Sequence, residues 1–313
     1  MITILFDALG DSSLAMLEAC ARMNRFTKIY LVDDAPYFDS VFERLKKRYA
    51  REFNLQKTTV LPEDVNFRFP TSQLRDKDWL RYSDNNFFFP EYSFFKSALD
   101  KEEMNIFLGD YSVNLYSEES FRNKISCITK PRILSGGCKG VKEYPYGHWV
   151  KSTTRLVGAG EDEPDIYCEE KLPSIVDEFG EYEYVMDLVI HEGNYSCSIR
   201  RVYRMKGGSD TVFRFIGDVP ELATIYSSLK NFLEWFSCKV ARQGIFNIQF
   251  KEDNGAIKIF DLNIRSSGGA MEALSWFNPV ELLYESEFME RKLQNNIVYP
   301  HNRELIFRYL KEF

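Results

Sequence analysis

Asp261, Asn263 and Arg265 stand at alternate positions, so a β-strand sets all three on one face. They belong to the second of two runs, Ile245 to Phe250 and Ala256 to Arg265, that flank Asp253-Asn254-Gly255. Such a turn between alternating runs reads as a β-hairpin. On the first run Asn247 and Gln249 share a face, opposite Phe246, Ile248 and Phe250. On the second, Phe260, Leu262 and Ile264 are expected to point into a core. Register decides whether the polar rows meet. We expect a three-residue loop with Gly255 left-handed, pairing 249 with 259 and 247 with 261. A two-residue loop would set Gln249 beside Phe260 and mix polar with apolar rows. A carboxylate, two amide oxygens and a guanidinium on one sheet face suit Mg²⁺ together with phosphate. On pattern alone, a solvated face with an ion pair accounts for the same row equally well.

Other elements must position that hairpin. Residues 1–35 read as strand, helix, strand: Ile2, Ile4 and Phe6, then Leu14, Leu17 and Ala21 at helical spacing, then Ile29 to Val32. This is the opening of a parallel α/β sheet. The single Gly10 is too little for a dinucleotide fingerprint. Phe42, Leu45 and Tyr49 fit a helix whose solvated face carries Arg44, Lys46, Lys47, Arg48 and Arg51. Further on, 102–108 reads as helix, 125–130 and 166–168 as strands, and 182–190 as a longer strand. A helix is expected from an Asp218 N-cap, with Pro220 in its first turn, to Gln243-Gly244. Its stripe is Leu222, Ile225, Tyr226, Leu229, Leu233, Phe236 and Val240.

Composition bounds the function. The 313 residues are 44% hydrophobic and 15% aromatic, a composition that folds. A net charge of −7 makes nucleic acid and membrane surfaces poor main partners. The six cysteines show no CxxC spacing and only three His are present, which speaks against a zinc site. No basic segment precedes a long apolar run at the start, and no run approaches the ~20 residues of a membrane span. A cytoplasmic protein with reduced thiols is expected.

The stretch Gly244-Ile-Phe-Asn-Ile-Gln249-Phe with Ile259-Phe-Asp261-Leu-Asn263-Ile-Arg265-Ser-Ser-Gly-Gly269 resembles the metal-binding hairpin of ATP-grasp enzymes. The likeness is to the carbamoyl phosphate synthetase large-subunit type. Four more landmarks occur in the order of that superfamily. Asp100-Lys101 is similar to its Asp-Lys pair. Thr129-Lys130-Pro131-Arg132, with Ser135-Gly136-Gly137-Cys138-Lys139-Gly140, is similar to its Lys-Pro strand and glycine-rich loop. Tyr167-Cys168-Glu169-Glu170-Lys171-Leu172 resembles the hinge between its lobes. Gly180, Glu183-Tyr184 and Asp187 resemble its Gly-x-Glu-Tyr-x-x-Asp strand, with one extra residue after Gly180.

The resemblance implies an α/β fold of α+β lobes. A Rossmann-like lobe over 1–98 would precede a two-lobed ATP-grasp domain, its small lobe at 99–172 and its large lobe at 173–313. It implies ATP and Mg²⁺, or Mn²⁺, as cofactors. Gln249, Asp261 and Asn263 become metal ligands, and Arg265 and Lys130 catalytic residues. Lys101, Lys130, Ser135, Gly136, Gly137 and Gly140 would hold the phosphates, and Glu169, Glu170 and Leu172 the adenine. Arg201 and Arg204 are candidates for the acceptor carboxylate. The implied activity is ligation of a carboxylate, activated as an acyl phosphate, to an amine. Bicarbonate with free ammonia, and ATP binding without catalysis, are alternatives. A homodimer stays open. Two features depart from the pattern: Gln249 is neutral where relatives bring a carboxylate, and Asp261 is shorter than the usual Glu. No glutaminase-like Cys/His region is visible, so ammonia is not expected to be made from glutamine within the chain.

Overall fold

In a computed structural model of the chain, the described residues are 3–6, 11–32, 38–58, 67–69, 90, 92–132, 141–145, 166–204, 211–215, 222–239, 243–267, 269–299 and 305–308. The N-terminal lobe alternates strand and helix, as its apolar pattern requires. Its elements are β1 (Thr3–Phe6), α1 (Asp11–Met23), β2 (Lys28–Val32), α2 (Phe38–Arg48), β3 (Asn54–Thr58) and β4 (Phe67–Phe69). The strands are parallel, in the order β3-β2-β1-β4. Parallel neighbours need crossover connections, which α1 and α2 supply to the first three strands. Phe42, Leu45 and Tyr49 are buried while Arg44, Lys46, Lys47 and Arg48 are exposed, so the basic face of α2 is solvated.

The next part is built from α3 (Tyr92–Leu99), α4 (Lys101–Leu108), α5 (Glu118–Arg122), β5 (Cys127–Pro131), β6 (Lys142–Tyr144) and β7 (Ile166–Glu170). Asp100 separates α3 from α4 and caps α4, accepting from the amides of Glu102 and Glu103. The three strands form an antiparallel sheet in the order β6-β5-β7.

The remaining elements are β8 (Ile175–Asp177), β9 (Gly180–His191), β10 (Asn194–Arg204), β11 (Thr211–Phe215), α6 (Tyr226–Lys239), β12 (Gln243–Asp253), β13 (Ala256–Asn263), α7 (Ala270–Ala273), α8 (Pro279–Phe288), β14 (Asn296–Ile297) and β15 (Leu305–Arg308). They build an eight-stranded sheet ordered β13-β12-β9-β10-β11-β15, with β8 on β9 and β14 on β10. Both faces are covered. One packs Met186, Leu188, Phe246, Ile248 and Phe250 against α6 and against Phe94 of α3. The other packs Val185, Val189 and Ile245 against α7, α8 and the N-terminal lobe. Phe232, Phe236, Phe246 and Phe250 are fully buried, each stabilising the fold by roughly 1.5–3 kcal/mol. The stripe expected on α6 is buried at Leu222, Ile225, Leu229, Leu233 and Phe236, but the helix itself begins at Tyr226, which is exposed at that first position. Asp218, Pro220 and Val240 lie outside the described residues.

The hairpin differs from expectation in its loop length and in its register. Its loop has two residues, Asn254 and Gly255, with φ of 52° and 79°, and Asp253 pairs with Ala256. Phe250 then pairs with Ile259, but Gln249 pairs with Asp261 and Asn247 with Asn263. Phe260 is an extra residue, a β-bulge. The cause is the core. Ile257, Ile259, Leu262 and Ile264 all enter the same buried cluster, and strict alternation cannot place both pairs there. One added residue reconciles them. Phe260 is therefore not a core residue; its ring lies 5.5 Å from the Lys130 ammonium.

Candidate functional site

The bulge carries the polar row onto the face that meets the N-terminal lobe. Across neighbouring strands, Ser198 on β10 faces Asp187 on β9, Asp187 faces Asn247 on β12, and Asn247 faces Asn263 on β13. One step along, Arg200 faces Val185, Val185 faces Gln249, and Gln249 faces Asp261. The side chains of one row thus point the same way. Arg265 stands just beyond β13, where its guanidinium donates to the Ser12 hydroxyl of α1 at 2.8 Å. That contact joins the N-terminal lobe to the row.

Two lysines approach the row from the small sheet and its neighbouring helix. Lys130 on β5 is buried, pairs with Glu169 at 2.5 Å and donates to the Phe260 carbonyl at 2.6 Å. Glu169 on β7 is 1% exposed and also accepts from the Tyr167 hydroxyl at 2.8 Å. Burial, and then the Glu169 charge, push that hydroxyl far up, which keeps it a donor. Lys101, the first residue of α4, forms an ion pair with Asp261. Its amide donates to the Arg132 carbonyl at 2.7 Å, so its backbone is tied to the end of β5. Lys101, Tyr167, Glu169, Phe260 and Asp261 line one cleft, whose floor continues into Met104 and Leu108.

Burial alone would raise the Asp261 carboxyl. The Lys101 and Lys130 charges, with hydrogen bonds from Lys101 and Asn263, outweigh it and hold the group below the usual carboxylate value. Asp261 is thus an anion with two cations near it. Among the described residues no group of three His, Cys, Asp or Glu comes together. With Asp187 committed to Arg200, the donor set left to the row is the Asp261 carboxylate and amide oxygens. Hard oxygen donors of this kind fit Mg²⁺ or Mn²⁺ that takes its remaining ligands from phosphates and water.

The hinge residues divide. The side chains of Glu169 and Tyr167 face the cleft. Glu170 turns the other way, accepting from Ser120 at 2.6 Å and Asn114 at 2.8 Å, and its amide donates to the Asn114 carbonyl at 2.9 Å. Leu172 follows β7 and is half-buried. Ser135, Gly136, Gly137 and Gly140 lie outside the described residues, as does the Arg204 side chain. Arg201 is on the opposite face of the sheet from the row. Its guanidinium lies 4.6 Å from the Tyr182 ring centroid and pairs with Asp177 at 3.2 Å.

Its neighbour Arg200 is on the face of the row, and sequence reasoning passed over it. Arg200 is 3% exposed and forms a buried ion pair with Asp187, which also accepts from Asn247 at 3.1 Å and Ser267 at 2.8 Å. Ser267 in turn accepts from Arg200 at 2.8 Å. Four segments are tied here, including the one that leaves Arg265. Glu192-Gly193, with φ of 49° and 75°, is a second two-residue hairpin turn, pairing His191 with Asn194. That turn fixes which arginine of β10 faces Asp187.

No family model matches the chain, and no curated protein matches it in sequence. Solved structures do. Phosphoribosylamine–glycine ligase from Thermotoga maritima aligns over 96% of this chain and 78% of its own, with a TM-score of 0.63 and 13% identity. N5-carboxyaminoimidazole ribonucleotide synthetase from Thermus thermophilus aligns over 85% and 72%, with a TM-score of 0.52 and 13% identity. D-alanine–D-alanine ligase from Bacillus anthracis aligns over 89% and 93%, with a TM-score of 0.50 and 10% identity. At these identities the likeness establishes the fold. The chain has the ATP-grasp fold: mixed α/β, with several sheets laid out as in these ligases. Among the described residues no helix is long and apolar enough to cross a membrane.

Proposed function

We propose that this protein is an ATP-dependent ligase that activates a carboxylate as an acyl phosphate and joins it to an amine. The observation that carries this reading is the convergence of Lys101 and Lys130 on a row made of Gln249, Asp261 and Asn263. The residues fit a nucleotide's charge. Lys130 stands ready for a phosphate oxygen, with Glu169 holding its ammonium in place. Arg265, steadied by Ser12, is suited to the transferred phosphoryl group. Gln249, Asp261 and Asn263 would hold Mg²⁺, or Mn²⁺, which when bound neutralises charge on the phosphate oxygens.

In the reaction, a substrate carboxylate oxygen attacks the γ-phosphorus of ATP and ADP leaves. The amine then attacks the acyl carbon of the acyl phosphate and inorganic phosphate leaves. Lys101, Lys130 and Arg265 offset the negative charge that these steps gather, which is the main task in phosphoryl transfer. The chain around Glu170 and Leu172 would read the adenine edge through its backbone groups. The likeness of the Gln249, Asn263 and Arg265 pattern to carbamoyl phosphate synthetases keeps bicarbonate among the carboxylates to be tried.

The test is ADP release from MgATP in the presence of a library of amino acids, other carboxylates, bicarbonate and ammonia. The Asp261→Asn protein is the control. Release that depends on a library component and vanishes in Asp261→Asn supports the ligase. Absence of release in wild type, alongside ATP binding, would point to a nucleotide-binding module without ligation.

A further inference from the structure

Asp261 is the row's carboxylate nearest the two lysines, and both of its oxygens are already engaged. Oδ1 is paired with the Lys101 ammonium, and Oδ2 accepts from the Asn263 amide at 2.9 Å. Gln249, Asn247 and Asn263 beside Asp261 are neutral amides, and the row's second carboxylate, Asp187, is paired with Arg200. A carboxylate matched by one ammonium offers a divalent cation little net attraction. Lys130, held by Glu169 at 2.5 Å and the Phe260 carbonyl at 2.6 Å, adds a further positive charge near Asp261.

Lys101 is held for this contact. It follows the cap residue Asp100, whose carboxylate accepts from Arg132 at 2.7 Å, and its own amide donates to the Arg132 carbonyl at 2.7 Å. The main chain of Lys101 is therefore anchored at the small sheet while its side chain crosses to β13. A polyphosphate entering the cleft is a multiply charged partner for the same ammonium.

We propose that Lys101 is a built-in counter-ion for Asp261, so that a divalent cation occupies the row together with a nucleotide and not before it. The nucleotide half of this statement rests on the ATP reading above. The mechanism is an exchange of ion pairs. Lys101 passes from Asp261 to phosphate, and Asp261, with the amides beside it, is released to the metal. Metal and nucleotide then bind as one unit, and the affinity of each depends on the other.

The experiment is Mn²⁺ titration followed by the loss of the free-ion electron paramagnetic resonance signal. It compares wild type, Lys101→Met, Lys101→Gln and the double variant Lys101→Met/Asp261→Asn, with thermal melting to verify folding. Without nucleotide, Lys101→Met is expected to bind Mn²⁺ at least about tenfold more tightly than wild type, and Asp261→Asn to cancel the gain. If Lys101→Met fails to fold, Lys101→Gln gives the same reading. No gain over wild type, or a gain that survives Asp261→Asn, overturns the proposal. A parallel titration of wild type with an imido analogue of ATP tests the ATP reading separately. Failure there leaves the comparison of Lys101 variants intact.

Discussion

Gln249 lies directly opposite Asp261 because Phe260 is pushed out of the ladder beside them. The turn at Asn254-Gly255 sets the strands in one register, and the bulge shifts it by one before the row begins. The row and the turn are thus separable. Gly255 has φ of 79°, a conformation that a β-branched residue adopts only with strain. Gly255→Val should cost about 1–3 kcal/mol of stability by denaturant titration. Nucleotide affinity of the folded fraction should be unchanged. A loss of affinity at full folding would mean that the turn, and not the bulge, sets the row.

Asp261 contributes to stability in a pH-dependent way. Its folded value lies below the ordinary 3.8, because Lys101 and Lys130 outweigh burial. A depressed folded value stabilises the fold above the unfolded value and loses that effect as pH falls through the folded one. The stability difference between wild type and Asp261→Asn should therefore be constant at neutral pH and shrink only below about pH 4. Denaturant unfolding of both proteins across that window checks it.

Lys130 and Glu169 are buried partners, and removing one strands the other. Lys130→Met should cost roughly 3–5 kcal/mol, and Glu169→Gln in the same protein should restore part of it. A double-mutant cycle by chemical unfolding measures the coupling. Additive effects would show that the pair is not a unit. Nucleotide affinity should stay low in the double variant, because the cation is gone even when stability returns.

Gly269 is needed for space. Its φ of −71° suits any residue, but a Cβ there would sit 2.9 Å from Arg200 Nη2. Gly269→Ala must push a guanidinium that is held by Asp187 and Ser267. A loss of about 1–3 kcal/mol is expected, as for overpacking in a core. Because Ser267 is two residues from Arg265, turnover per folded molecule should also fall. Unchanged stability and turnover would show that Arg200 moves aside freely.

The alternation of the first lobe was legible because strands covered on both faces read as apolar runs, as Ile29 to Val32 does. The hairpin was legible from Asn254-Gly255. The bulge was not read, yet its signal is present: Ile257 and Ile259 share a parity that Leu262 and Ile264 break. Choosing between them needs the knowledge that one core receives all four. Arg200 escaped for a similar reason. Adjacent arginines on a strand point to opposite faces, and only the Glu192-Gly193 turn decides which meets Asp187. Lys101 is expected at the phosphates, but its pairing with Asp261 was not legible, since that partner is 160 positions away.

We infer that Lys101, Lys130 and Asp261 together bind a metal-bound adenine nucleotide. Calorimetric titration of the wild-type protein with an imido analogue of ATP in Mg²⁺ tests it most directly, with Lys130→Met and Asp261→Asn alongside. We predict saturable binding by wild type that weakens at least about tenfold in each variant, a charge-assisted contact being lost in each. Equal binding by all three proteins, or no binding by wild type, would contradict the account.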